Sequence, residues 1–113
     1  MTTLITRDEL FAAIENGDVT VVDALPATYF EQQHLPGAVN LYVEEAAERA
    51  VEVLPDRDAA IVTYCSNVSC PNSEGVARTL TKLGYTNVRK YREGIQDWVE
   101  SGLPTESGAR VVA

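Results

Sequence analysis

The sequence predicts an α/β domain built on a central, mostly parallel sheet. Segments with strand patterns alternate with segments with helix patterns along the 113-residue chain. Two of the strand segments are continuous apolar, β-branched runs, which are typical of strands buried on both faces of a parallel sheet. The helix segments carry apolar residues at helical spacing and end at Gly or Pro. A hydrophobic fraction of 45% is enough for the core of one domain of this length.

Each helix is predicted from its apolar spacing and its end signals. Thr6 followed by Glu9 forms a capping box, and Gly17 is the C-terminal cap of the same helix. Pro26 and Pro71 each suit the first position of a helix, which favours a helix start at each. Pro55 ends the predicted helix that lies between those two. The predicted helices are Thr6 to Gly17, Pro26 to Gln33, Glu44 to Val53, Pro71 to Gly84 and Ile95 to Ser101.

A single domain is predicted over residues 1–104, because Gly102-Leu103-Pro104 ends the last helix. The tail over residues 105–113 is predicted to be a loose end or a short edge strand. Within the domain, short segments rich in β-branched and apolar residues separate the helices. The predicted strands are Val19 to Asp23, Ala38 to Leu41, Ala59 to Tyr64 and Val88 to Tyr91.

The charge and the hydropathy of the chain exclude several classes of function. A formal net charge of −8 argues against nucleic acid and anionic membranes as partners, because both are negatively charged. No apolar run approaches the ~20 residues that a membrane-spanning helix needs. Residues 1–8 lack the basic and apolar segments of a signal peptide, so we expect a cytoplasmic protein or a domain excised from a longer one.

The chain has two cysteines, Cys65 and Cys70, and their positions favour a reactive thiol over a structural role. A disulfide that closes so small a loop would contribute little stability. A metal site would need more ligands, and the one histidine, His34, is distant in sequence. No metal site is therefore predicted.

Cys65 directly follows a predicted central strand, and ligands bind at the carboxyl ends of strands in open parallel sheets. The loop after it, Ser66-Asn67-Val68-Ser69-Cys70, enters a helix that begins at about Pro71. Such a loop can turn backbone N–H groups inward to hold an anion, and we expect this to lower the pKa of Cys65. The alternative is that Cys65 is a small buried apolar residue without chemistry.

Cys70 occupies the last position of the loop, next to the helix N-terminus, and three interpretations of it stay open. It can be a second thiol that attacks a persulfide or disulfide on Cys65. It can be the principal nucleophile, because helix N-termini lower the pKa of thiols. It can also be a small residue near the helix start with no chemistry, since buried cysteines are commonly inert.

Three stretches match the pattern of a known family in order and spacing. The first is Val22-Asp23, then Phe30, then His34-Leu35-Pro36-Gly37-Ala38-Val39-Asn40. The second is Val62-Thr63-Tyr64-Cys65. The third is Leu83-Gly84-Tyr85-Thr86-Asn87-Val88, then Gly94-Ile95 and Trp98, then Gly102-Leu103-Pro104. Through these motifs the chain resembles the rhodanese family over nearly its whole length.

The resemblance implies a rhodanese-like fold, with a central, mostly parallel five-stranded sheet and helices on both faces. It also implies sulfur transfer, with Cys65 as the catalytic residue and the loop from Ser66 to Cys70 as the anion-binding loop. In that reaction a thiolate takes a sulfane sulfur from a small donor, thiosulfate or a persulfide, and passes it to a thiol or protein acceptor. No metal or organic cofactor is implied.

The chain departs from the family pattern at three places. Leu25 and Tyr29 stand where the family usually has an arginine and a glutamate, so a common structural ion pair is expected to be missing. The loop from Ser66 to Cys70 lacks the family's usual arginine or lysine, so thiosulfate is expected to be a poor donor. Arg92 is a candidate for the pocket rim, with a solvated surface arginine as the favoured alternative.

Other functions and residues were weighed against sulfur transfer. A thiol–disulfide redox switch would use both cysteines, and a regulatory module without turnover also stays open. A phosphatase or arsenate reductase would need a loop arginine to hold a tetrahedral oxyanion, and none is present. His34 and Asp23 are expected to bond to nearby backbone, and Trp98 is expected to lie in the core.

Overall fold

Five parallel strands form the central sheet of the computed structural model, which describes residues 2–108. The strands are β1 (Thr3–Leu4), β2 (Thr20–Asp23), β3 (Val39–Asn40), β4 (Ile61–Tyr64) and β5 (Val88–Tyr91). Their order across the sheet is β1-β5-β4-β2-β3, so β4 is central and pairs with β5 and β2. Every pairing in the sheet is parallel, which confirms the predicted sheet type.

All five predicted helices are present, with ends that differ from the predictions by a few residues at most. They are α1 (Arg7–Asn16), α2 (Ala27–Gln32), α3 (Ala46–Val53), α4 (Asn72–Lys82) and α5 (Gly94–Glu100). Thr6 and Glu9 form the expected capping box, and Gly17 ends α1 with a φ of 70°. A short 3-10 turn, Val43–Glu45, leads into α3, which therefore begins later than the apolar spacing predicted.

The fifth strand of the described sheet lies near the N-terminus, in a segment for which the sequence predicted no strand. β1 has only two residues, and both are exposed. It pairs with β5 at the sheet edge, with Thr3 opposite Arg89 and Leu4 opposite Lys90. A two-residue strand has no room for the alternation by which strands are recognised, so sequence patterning missed it.

Adjacent side chains of β2 and β4 enter separate cores on the two faces of the sheet, because successive strand residues point to opposite sides. Val22 and Ile61 belong to the core that α3 and α4 cover. Val21 and Val62 belong to the other core, which α1, α2 and α5 cover. Helices therefore lie on both faces, as predicted. Within residues 2–108 no helix is long and apolar enough to cross a membrane.

Residues after the predicted domain end bond back to the domain. Glu106 forms an isolated antiparallel bridge with His34 through paired backbone hydrogen bonds of 2.8 Å. The side chains of Gln33 and Thr105 bond at 3.1 Å. Residues 105–108 are therefore held by hydrogen bonds to the C-terminal end of α2 and the residues after it. The rest of the predicted tail, residues 109–113, lies outside the described residues.

A buried polar network joins the carboxyl ends of β2 and β4. The hydroxyl of Tyr64 donates to the carboxylate of Asp23 at 2.7 Å and accepts from the backbone N–H of Leu35 at 3.1 Å. The N–H of Leu25 donates to the same carboxylate at 2.8 Å. Burial raises the pKa of Asp23, and these two hydrogen bonds offset part of the rise. Asp23 therefore organises backbone, which is the role the sequence favoured.

We expect Tyr64→Phe to destabilise the fold in a pH-dependent way. The Tyr64 hydroxyl favours the ionised form of Asp23, so its removal raises the folded-state pKa of Asp23 further. The loss should be about 2–3 kcal/mol where Asp23 is ionised, and it should fall to about 1 kcal/mol as the pH is lowered and protonation relieves the unpaired charge. Urea unfolding over a range of pH measures it. Tyr29→Phe, at an exposed tyrosine, is the control and should change little.

Candidate active site around Cys65 and Cys70

The cysteine loop is held between the end of β4 and the start of α4. Cys65 is the first residue after β4, whose four residues are all buried. The Thr63 hydroxyl donates to the Ser73 carbonyl at 3.0 Å, which fixes the first turn of α4 against β4. The Asn72 side chain donates to the Ala24 carbonyl at 3.2 Å and ties the same turn to the end of β2. Both ends of the loop are therefore anchored to the sheet.

The first turn of α5 supports the loop from the other side. The N–H of Ile95 donates to the Cys65 carbonyl at 2.9 Å, and the N–H of Gln96 donates to the Ser66 carbonyl at 3.0 Å. Gly94 makes this approach possible. It has a φ of 73°, and a Cβ on it would lie 2.6 Å from the Cys65 carbonyl oxygen and 2.7 Å from Ser66 backbone atoms. Sequence reasoning used Gly94 only as part of a motif and missed this contact.

Cys65 is completely buried, and its sulfur faces the far end of the loop. Its Sγ lies 3.3 Å from the Cys70 carbonyl oxygen and 3.5 Å from the Ser73 hydroxyl. Burial raises the pKa of Cys65, and the hydrogen bond that its thiol donates to Cys70 raises it further. The Ser73 hydroxyl and N–H oppose this only in part. The expected lowering of the Cys65 pKa was therefore wrong, because desolvation outweighs the nearby donors.

Cys70 is the better thiolate of the pair. Burial alone would raise its pKa, but donors around its sulfur outweigh that effect, and the net shift is downward. The donors are the Cys65 thiol, the backbone N–H groups of Asn72 and Ser66, and the Ser66 hydroxyl. Cys70 is also partly exposed, whereas Cys65 is not. The Cys65 thiol donates to the Cys70 carbonyl oxygen at 3.3 Å, so the structure brings both sequence-predicted cysteines together.

The remaining loop residues form hydrogen bonds with one another. The N–H of Ser69 donates to the Asn67 side chain at 2.9 Å, and the N–H of Cys70 donates to the Asn67 carbonyl at 3.1 Å. These two amides therefore do not face an anion in this conformation. The Asn67 side chain also donates to Gln96 at 3.2 Å. Val68 is 61% exposed at the tip of the loop.

A shallow cavity of about 220 Å³ adjoins the loop tip and is acidic. Asn67 and Val68 line it from the loop, and three carboxylate side chains line it from the α5 side. Those carboxylates belong to Glu93, Asp97 and Glu100. An anion that approaches the loop through this cavity meets like charge.

Arg92 does not line this cavity. Its guanidinium pairs with the carboxylate of Glu93 at 3.6 Å, and its side chain is 57% exposed. It lines a different cavity of about 310 Å³, formed with residues 4–8 and α5. These contacts agree with the solvated surface arginine that the sequence gave as the favoured alternative.

The two other side chains that the sequence singled out, those of His34 and Trp98, pack and form hydrogen bonds within the domain. The His34 ring stacks on Phe30 with centroids 3.9 Å apart, and its Nδ1 bonds to the Phe30 carbonyl at 2.7 Å. Trp98 is completely buried, and its indole N–H donates to the Pro104 carbonyl at 2.7 Å. Among residues 2–108, no cluster of three or more potential metal ligands has a geometry that would hold an ion.

With this fold and this cysteine loop, the chain belongs to the rhodanese-like domain family, whose model matches residues 6–101. It is 37% identical over 107 residues to HTH-type transcriptional regulator Rv0324 of Mycobacterium tuberculosis, a match that covers 95% of this chain and 46% of that protein. It is 29% identical over 68 residues to thiosulfate sulfurtransferase PspE of Escherichia coli K12, covering 59% and 62% of the two chains.

Solved structures agree with the fold. The BH2092 protein of Bacillus halodurans superposes with a TM-score of 0.86 at 23% identity, over 94% of this chain and 77% of that one. The five-stranded rhodanese-like fold implied by the motifs is therefore confirmed. The chain spans about half of Rv0324, so what that whole protein does is not transferred to it by this match.

Gly94→Ala should destabilise the protein by about 3 kcal/mol, because the added methyl group meets the Cys65 and Ser66 backbone in a left-handed conformation. Gly17→Ala is the matched control, since Gly17 also has a positive φ but has open space around its Cβ position. The control should lose only about 1 kcal/mol. Urea unfolding of both variants measures the difference, and equal losses would contradict the proposed close contact with the loop.

Proposed function

We propose that this chain is a sulfurtransferase or sulfane-sulfur carrier that acts through a persulfide on Cys65. The observation that carries the proposal is the position of two free thiols on one short loop, between the carboxyl end of the central strand and the start of a helix. In open parallel sheets this is where ligands and reactive groups are placed. Membership of a family that includes thiosulfate sulfurtransferases, with PspE among the relatives, supports the same reaction class.

The proposed reaction needs only thiol chemistry. A cysteine thiolate of the loop attacks the outer sulfur of the donor, the sulfur–sulfur bond of the donor breaks, and a persulfide remains on the protein. An acceptor thiolate then attacks the outer sulfur of that persulfide, and the cysteine leaves as a thiolate. No electrons are gained or lost overall, so no metal or organic cofactor takes part in the proposal.

The charges around the loop favour a persulfide over thiosulfate as the donor. Thiosulfate carries two negative charges, and the loop from Ser66 to Cys70 offers no cationic side chain. The adjoining cavity adds the carboxylates of Glu93, Asp97 and Glu100. A donor whose sulfur is carried by a neutral or cationic molecule, or by a protein with a basic surface, meets no such repulsion.

Sulfur uptake tests the proposed function directly. After incubation with a low-molecular-weight persulfide, the intact mass of the wild type should increase by one sulfur, about 32 Da, and a thiol acceptor should remove the increase. Thiosulfate should give less product at equal concentration. Cys65→Ala with Cys70 alkylated should neither take up nor release sulfur. If that protein still did both, the carrier would lie elsewhere and the proposal would be wrong. No uptake by the wild type from any donor would favour a regulatory module without turnover.

Neutralising the acidic cavity should improve thiosulfate as a donor. We expect Glu93→Gln with Glu100→Gln to increase the rate of sulfur uptake from thiosulfate about threefold at low ionic strength, and the gain should shrink at about 0.5 M salt. Glu48→Gln with Glu52→Gln, on exposed positions of α3, changes the net charge equally and is the control. An equal gain in the control would attribute the effect to overall charge instead of the cavity.

A thiol–disulfide switch is the second candidate, and the contact of the Cys65 sulfur with the Cys70 carbonyl oxygen favours it. A mild oxidant would take two hydrogens and two electrons from the pair, leaving a disulfide. Thiol titration after oxidation, with Cys70→Ser as control, tests this function. Rapid loss of both thiols in the wild type, with no loss in the variant, would support it, and retention of both thiols would exclude it.

A further inference from the structure

The two thiols differ in access to solvent in a way that bears on how sulfur enters and leaves. Cys65 is completely buried beneath the loop and the first turn of α5. Cys70 is partly exposed at the other end of the loop, two residues before α4 begins. Cys70 is therefore more accessible to a donor or acceptor than Cys65, whose sulfur lies against the Cys70 carbonyl oxygen and the Ser73 hydroxyl.

We propose that Cys70 is a second catalytic residue, the thiol that exchanges sulfur with the outside, and that Cys65 stores the sulfur that Cys70 passes inward. The inference rests on the proposed sulfur-carrier function and assigns a separate role to each of the two cysteines. It is carried by the contact of the Cys65 sulfur with the Cys70 carbonyl oxygen, by the burial of Cys65 and the partial exposure of Cys70, and by the donors that surround the Cys70 sulfur.

The first step takes place on Cys70. Its thiolate attacks the outer sulfur of a donor persulfide, R–S–SH, and forms a new sulfur–sulfur bond. The bond between the two donor sulfurs breaks, and the donor leaves as the thiolate R–S⁻, so charge and atoms balance. The N–H groups of Asn72 and Ser66 and the Ser66 hydroxyl stabilise the attacking thiolate, and the lowered pKa of Cys70 increases the fraction of thiolate near neutral pH.

The second step moves the sulfur to Cys65. The Cys65 sulfur attacks the outer sulfur of the Cys70 persulfide, which breaks the sulfur–sulfur bond on Cys70 and forms one on Cys65. The Cys65 thiol, whose sulfur lies 3.3 Å from the Cys70 carbonyl oxygen, gives its proton to the Cys70 sulfur as that sulfur leaves. The products are a Cys65 persulfide and a Cys70 thiol. Release to an acceptor follows the same steps in reverse.

The surroundings of Cys65 suit storage. The Ser73 hydroxyl lies 3.5 Å from its sulfur, and Ser73 is itself buried. The two hydrogen bonds from α5 hold the backbone of Cys65 and Ser66 in place. A neutral persulfide in such a site is shielded from reductants in solution, because thiol exchange requires access to the sulfur that is attacked.

Rapid-quench mass spectrometry of three proteins tests the relay, with a low-molecular-weight persulfide as donor. Cys65→Ala should load sulfur at the wild-type rate and hold it on Cys70, from which an external thiol removes it quickly. Cys70→Ser should load Cys65 at least about tenfold more slowly than the wild type, because the buried thiol must meet the donor itself. Val51→Ala, at an exposed position of α3 outside the loop, is the control and should load normally.

Alkylation gives a readout that does not depend on sulfur transfer. With iodoacetamide at about pH 7, Cys70 should react at least about tenfold faster than Cys65, and the midpoint of its pH profile should lie below that of an ordinary cysteine. Circular dichroism of each variant shows whether it is folded. If Cys70→Ser loaded Cys65 at the wild-type rate, or if Cys65 were alkylated first, the relay would be overturned while the carrier function of Cys65 stood. Failure of every protein to take up sulfur would instead overturn both.

Discussion

Parallel pairing of β4 on both of its edges is the constraint on which the candidate active site depends. A strand with neighbours on two edges and helices on two faces has no solvent contact, and the residue that follows it shares that burial. Cys65 is that residue, and α5 holds its carbonyl from the side. The fold thus places one sulfur deep in the molecule, and the loop must bring a second group to the surface if molecules in solution are to react with it. Cys70 lies where that group is needed.

Much of this architecture could be predicted from local sequence. The apolar runs that became β2 and β4, the capping box at Thr6 and the glycine at position 17 each identify their element without tertiary information. β1 could not be found in this way, because its two exposed residues have no hydrophobic pattern and pair only with a distant part of the chain. The same limit applies to Gly94, whose importance depends on backbone atoms of Cys65 and Ser66 that are remote in sequence.

The electrostatics of the site were less predictable than its position. A loop that enters a helix supplies N–H donors, and that much follows from sequence. The conformation of the loop decides which of the two sulfurs these N–H donors bond to. Here the amides of Ser66 and Asn72 face Cys70, while burial dominates at Cys65. Arg92 shows a related limit, because its position along the chain gave no indication of which cavity its side chain would line.

The complete burial of Cys65 also limits the size of the group that can be bonded to its sulfur. A single sulfur atom adds little volume beside Ser73, whereas a tripeptide thiol such as glutathione has no room without displacing the loop or the first turn of α5. Mixed disulfides formed during oxidative stress should therefore collect on Cys70 and leave the inner sulfur unmodified. In the proposed relay the accessible cysteine would be the one that is oxidised, and a reductant that removes the modification would restore a site whose inner sulfur was never exposed.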